Sequence, residues 1–214
     1  MPAFLAAMVA LATNTTAPLE TQATSALSVA QRCLRSGDSG RGLATLDSLI
    51  FTNGVTVSIE NPGAYDESIA KGLGVWNQEL GEDVFRLRPT GDKTDVVVKF
   101  VRSLDGEGRD VQGMVQASRE LSWSSRDRGY RLHTTIFVRD NAGGRRLRTD
   151  EAVAVVAHEA GHLLGLADVQ RDDRLMGPMT IGYPHSGPHS SEVAAVLDYR
   201  ASIRESYPTW VDKR

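Results

Sequence analysis

The sequence predicts an α+β domain built on a mixed β-sheet, and three observations predict it. Five short segments between residues 54 and 140 carry strand signals, either alternating apolar and polar residues or β-branched runs. Two longer segments, 65–80 and 149–165, carry apolar residues at helical spacing. The order of the segments gives a mixed sheet with one early helix and one long helix packed on it, followed by an irregular tail.

The strand segments come in a definite order. GVTVSIE (54–60) alternates and is stopped by Asn61, Pro62 and Gly63. VFRLRP (84–89) alternates again, while DVVVKFV (95–101) is a nearly continuous β-branched run expected in the sheet interior and covered on both faces. GMVQASREL (113–121) and RLHTTIFVRD (131–140) complete the set, and DNAGG ends the last.

Between the first two strands, YDESIAKGLGVWNQEL (65–80) places Ile69, Leu73, Trp76 and Leu80 on one face of a helix. Thr149 followed by Asp150 and Glu151 marks a second helix start, with acids in the first turn and the apolar run AVAVVA behind them. An irregular stretch follows. SSEVAAVLDYRASI (190–203) then forms a third helix, started by serine caps and turning Val193, Val196, Leu197 and Tyr199 or Arg200 past a core.

Composition narrows the function classes. With 214 residues, 41% apolar and 24% charged residues and a net charge of −3, the chain suits one well-filled domain. Acidic residues interrupt the basic stretch from Arg86 to Arg148, so no nucleic-acid partner is expected. The single cysteine, Cys33, excludes an intrachain disulfide. MPAFLAAMVALA (1–12) is uncharged, too short to span a bilayer and ends in Ala10, Leu11 and Ala12, as a secretory signal does, although its basic leading region is missing. A secreted, extracellular monomer without membrane span is therefore expected. Residues 13–42 form a polar, turn-rich extension or short propeptide, and the folded domain begins near Leu43 and runs to the end.

The chemistry is concentrated in HEAGHLLGLAD (158–168). His158 and His162 stand four apart, on one face of a helix and about one 5.4 Å turn from each other. That spacing lets two imidazoles reach one Zn2+, with Glu159 beside them to hydrogen-bond a water. Two core histidines at this spacing are the plain alternative; chance yields such a pattern about once in a couple of hundred chains of this composition. A catalytic zinc takes three protein ligands. Gly165, three residues on, can end the helix in a left-handed turn, which lets Asp168 bring a carboxylate back. His185 and His189 are rival third ligands or surface histidines in a Gly/Pro-rich loop.

HEAGHLLGLAD resembles the zinc motif of the metzincin peptidases, and RLMGP (174–178), with Met176 eight positions after Asp168, resembles the methionine turn of the matrixin branch. The resemblance covers residues 51–205, with its specific motifs between 149 and 178. It implies a single metzincin-like catalytic domain: a twisted mixed sheet, two packed helices including the zinc helix, and a small C-terminal subdomain with the methionine turn and a last helix. It implies a zinc endopeptidase with His158, His162 and Asp168 as ligands, Glu159 as general base, Met176 as an apolar floor and extended polypeptides as substrates on the strand at 113–121. A zinc-loaded, catalytically silent peptide-binding module is the alternative.

The sequence also departs from the family. Asp168 stands where matrixins have a histidine, as in the snapalysin group, and Pro178 stands where some metzincins have a tyrosine ligand. The segment PMTIGYPHSGPHS does not reproduce the matrixin specificity pocket wall. AQRCLRSGD (30–38) shares an Arg-Cys pair with the matrixin latency motif but lacks its prolines, so Cys33 is either a switch on the zinc or a small buried apolar residue. DGEGRD (105–110) could hold a structural Ca2+ or be a polar turn.

Overall fold

The computed structural model describes residues 32, 36–37, 54–61, 63–104, 111–123 and 128–206, with backbone alone for 117–123, 128–133 and 202–206. The expected signal segment, the extension with Cys33, the expected domain start near Leu43 and the candidate Ca2+ segment 105–110 lie outside the described residues. Within them the chain runs β1 (Val55–Glu60), α1 (Asp66–Leu80), β2 (Phe85–Leu87), β3 (Val96–Val101), β4 (Gly113–Trp123), β5 (Arg128–Arg139), a small hairpin of β6 (Asn141–Ala142) and β7 (Arg145–Arg146), α2 (Thr149–Leu163) and α3 (Ser190–Ser206).

The fold is a mixed α+β arrangement. A five-stranded sheet has the order β2-β1-β3-β5-β4. Its pairs are parallel except β4 with β5, which are antiparallel, so β4 is an edge strand running against the rest. Pairing of β4 with β5 continues beyond the alternating segments, to Trp123 and Arg128.

Burial corrects one expectation. β3 lies inside the sheet between β1 and β5, but Val96 and Val98 are buried while Val97 and Lys99 are only half-buried. Among the described residues, the face of β3 that carries Val97 and Lys99 is only partly covered. The β-branched run of β3 thus answers to interior pairing and pleated packing, and does not signal cover on both sides.

Helix α1 buries the predicted stripe of Ile69, Leu73, Trp76 and Leu80 and ends on Gly81, whose φ of 65° is a left-handed cap. Its face meets α2 at Gly72, where a Cβ would stand 2.8 Å from the Val153 carbonyl oxygen. Trp76 donates its indole N–H to the Ala157 carbonyl at 2.7 Å, tying the two helices together one residue before His158. Ahead of α1, Tyr65 stacks on Phe100 with ring centroids 4.4 Å apart, and its hydroxyl lies 3.0 Å from the Leu147 carbonyl. That contact brings the start of α1 beside the loop that opens α2.

The helix starts differ in detail from those expected. Thr149 is already helical in α2, and Arg148 precedes it, its N–H donating to Glu151 Oε2 at 2.8 Å. The serines expected to cap α3 do not do so. His189 takes the role: its Nδ1 accepts the Ser191 N–H at 3.1 Å while Glu192 accepts the His189 N–H at 2.7 Å. An unprotonated imidazole nitrogen accepts as a serine hydroxyl does, and Glu192 closes the reciprocal bond. Along α3, Val196, Tyr199 and Arg200 are buried, whereas Leu197, expected in the core, is 43% exposed. No described helix is long and apolar enough to cross a membrane.

Candidate metal centre

His158 and His162 fall in the last two turns of α2, anchored by Trp76 below and by the close of the helix above. The helix ends as its sequence requires. Gly165 has φ 93°, its N–H donates to the His162 carbonyl at 3.1 Å, and the Leu166 N–H donates to the Gly161 carbonyl at 3.1 Å. These are the paired bonds of a Schellman turn, and a side chain at position 165 would be strained.

Both imidazoles are oriented from behind. His158 Nδ1 lies 2.7 Å from the Leu175 carbonyl and His162 Nδ1 lies 3.0 Å from the Leu166 carbonyl. A carbonyl only accepts, so each Nδ1 carries the hydrogen, and in the neutral rings each Nε2 offers its lone pair on the other side. The two rings stand nearly perpendicular, 87° apart, with centroids separated by 5.0 Å.

After the glycine turn, buried Leu166 holds the returning chain and Asp168 comes back over the pair. Its Oδ1 lies 3.1 Å from His158 Nε2 and 3.5 Å from His162 Nε2. Ligands bonded tetrahedrally at about 2.0–2.1 Å stand about 3.3–3.4 Å from one another, and both Asp168 separations lie near that spacing. Asp168 is the exposed member, which leaves the site open to solvent on its side.

Glu159 belongs to the convergent set found among the described residues, His158, Glu159 and His162, whose ligand atoms all lie within 4.8 Å of one another; exposed Asp168 stands outside that set and is placed at the imidazoles by its own 3.1 and 3.5 Å separations. The Glu159 carboxylate is the poorer ligand candidate, since Asp168 spans both Nε2 atoms, but it lies close enough to act on a water held there. Neither His185 nor His189 joins that set; His189 caps α3 and His185 lies half-buried in the segment between.

Burial sets the protonation behaviour in the metal-free protein. It pushes Glu159 up to about 7, Asp168 adding to the shift and His158 opposing it. The hydrogen bond from His158 holds Asp168 below the usual carboxylate range. Burial also lowers His162. In His158 burial pulls the same way, but the Asp168 hydrogen bond, the Glu159 charge and the Leu175 carbonyl together outweigh it and raise the ring.

Met176 is buried, with its Sδ against Gly161, the residue before His162. Gly161 makes room for it: a Cβ there would overlap Met176 Sδ and stand 3.2 Å from Trp76 Cζ2. The turn around Met176 closes through the Gly177 N–H to the Arg174 carbonyl at 3.1 Å, and Pro178 is exposed beyond it, offering no side-chain donor.

The contacts of four residues that support the site or its helix escaped the sequence. Gly113, the first residue of β4, lies against the Glu159 carboxyl. Gly161 lies on Met176, Glu192 reaches from α3 to the Met176 turn, and Glu151 reaches from α2 to Gly182. A glutamate at the third position of each helix was a visible capping signal for the last two; nothing local marks the two glycines.

No protein-family model matches the chain, and no curated protein matches it significantly. The likeness to metzincins therefore rests on the residues themselves.

Proposed function

We propose that the chain is a secreted zinc-dependent endopeptidase of the metzincin type, with His158, His162 and Asp168 as ligands and Glu159 as general base. The observation that carries this reading is the convergence of Asp168 Oδ1 on both imidazole Nε2 atoms, with both Nδ1 atoms already engaged by carbonyls. Export rests on the uncharged apolar residues 1–12 alone.

Zn2+, when bound, supplies a Lewis acid that lowers the pKa of water and polarises a carbonyl. The chain supplies the rest. Glu159 takes a proton from the attacking water and delivers it to the leaving nitrogen. The Nδ1 hydrogen bonds keep the two imidazoles aimed without further reorganisation.

The edge strand β4 suits an extended substrate. The Arg139 N–H donates to the Gln112 carbonyl at 2.8 Å, so Gly113 and Val138 form a non-hydrogen-bonded pair. The main-chain N–H and C=O of Gly113 consequently face the free edge, beside Glu159, where a peptide can add as a further strand.

Casein hydrolysis by wild type, with and without a chelator, and by Glu159→Ala tests the proposal. Hydrolysis should require zinc and vanish in the variant, which should still bind the metal. Tight zinc binding without cleavage at any pH would instead make the protein a peptide-binding module.

A further inference from the structure

Gly113 has no conformational reason to be glycine. Its φ is not among the positive values, and glycine inside a strand weakens it by adding backbone entropy and removing a packing side chain. Among the described residues with positive φ are the turn glycines Gly54, Gly81 and Gly165, and Gly113 is unlike them. The remaining explanation for a glycine is close approach by another group, and one is present.

A Cβ at position 113 would stand 2.7 Å from both Cγ and Cδ of Glu159 and would overlap Oε1. The helix bearing Glu159 has little freedom to retreat. Trp76 holds the Ala157 carbonyl on one side of the residue, and Met176 fills the space against Gly161 on the other. The strand is equally fixed, through its pairing with β5 from Gly113 onward. Any added methyl must therefore displace the Glu159 side chain back to its Cγ. The same contact contributes to the burial of Glu159, which is only 4% exposed.

We infer that Gly113 is a positioning residue for Glu159: the bare α-carbon that opens the free edge strand sets where the carboxyl lies relative to the ligands and to a peptide on that edge. This rests on the endopeptidase reading for its catalytic consequence, but the contact itself does not. An alanine leaves the free-edge N–H and C=O in place, so substrate pairing survives while the proton-transfer geometry is lost.

The test is a double-mutant cycle of Gly113→Ala and Glu159→Asp, whose carboxyl is one methylene shorter. In the wild-type background the alanine should lower kcat on the order of 10–100-fold while KM stays within about twofold. Zinc affinity, measured by competition with a chelating dye, should stay within about twofold in every member. In the Glu159→Asp background the alanine should cost less than about threefold, because the shorter acid leaves room for it. Equal losses in both backgrounds, or a loss confined to KM, would overturn the inference.

A second cycle needs no activity. Gly113→Ala should lower the urea midpoint in the Glu159 protein and lower it distinctly less beside Glu159→Ala; if Gly113→Ala alone does not fold, recovery of folding in the double variant reads the same contact. Additive midpoints would overturn the inference. A wild type that hydrolyses nothing would remove the endopeptidase reading, while these midpoints would still decide whether the two residues collide.

Discussion

Glu192 holds Met176 through the main chain: its Oε1 accepts the Met176 N–H at 2.8 Å, while Oε2 accepts the N–H groups of Leu175 at 3.2 Å and His189 at 2.7 Å. The carbonyl of Leu175 in turn orients His158. One buried carboxylate thus fixes the start of α3, the turn around Met176 and, through Leu175, the ring of His158. Glu192→Ala should leave the two buried donors of Leu175 and Met176 and the part-buried His189 N–H unsatisfied and cost about 2–4 kcal/mol of stability. Zinc affinity should weaken on the order of tenfold through His158. Urea denaturation and chelator competition measure the two effects, and an unchanged affinity would break the link from Glu192 to the ligand.

Glu151 makes a comparable clamp at the other end of α2. Arg145 donates to both its oxygens at 2.6 and 2.8 Å, and the N–H groups of Arg148 and Gly182 add a 2.8 Å bond each. The Arg145 hydrogen bonds hold its pKa well down, from 4.5 to about 2, against the opposing effect of burial. A depressed folded-state pKa means that the stability it contributes is complete above about 4.5 and is lost as pH falls towards about 2. Thermal melts between those limits should show wild type losing more stability than Glu151→Gln, which has no such proton to take up. Parallel pH curves would contradict the clamp.

Gly161 predicts a packing penalty. An alanine there must push against Met176 Sδ and Trp76, both buried. Overpacking of this kind costs about 1–3 kcal/mol. The melting temperature of Gly161→Ala should fall by roughly 2–10 °C. Combining it with Met176→Ala should recover part of that loss; a variant as stable as wild type would mean that Met176 is loosely packed.

Asp168 predicts a pH effect. Its charge raises Glu159, and as a ligand it neutralises more of a cation's charge than imidazole does. Both effects favour protonated forms at the site. Asp168→His should therefore move the acidic limb of the pH–rate profile to lower pH, and a limb that stays in place or rises would count against Asp168 as a ligand.

The arrangement of residues 158–168 was legible because it is local. The four-residue step from His158 to His162, the glycine at 165 and the returning Asp168 follow from helix geometry, and the structure brings those side chains together as expected. The strands were legible from alternation or β-branched runs, and the α1 stripe from its period. The supports were not, because they are contacts between residues far apart in the chain. Gly113 meets Glu159 only once β4 takes the edge of the sheet, and Glu192 meets Leu175 only once α3 folds back. The capping role of His189 was missed because serines beside it are the commoner signal, and the partly covered face of β3 because a β-branched run marks pairing and burial alike.

Crystallography on protein grown with zinc, using anomalous scattering at the zinc edge, tests the central claim most directly. The account predicts one peak per chain, about 2.0–2.1 Å from His158 Nε2, His162 Nε2 and an oxygen of Asp168. A map without that peak, with the Asp168 carboxylate turned to solvent, would contradict it.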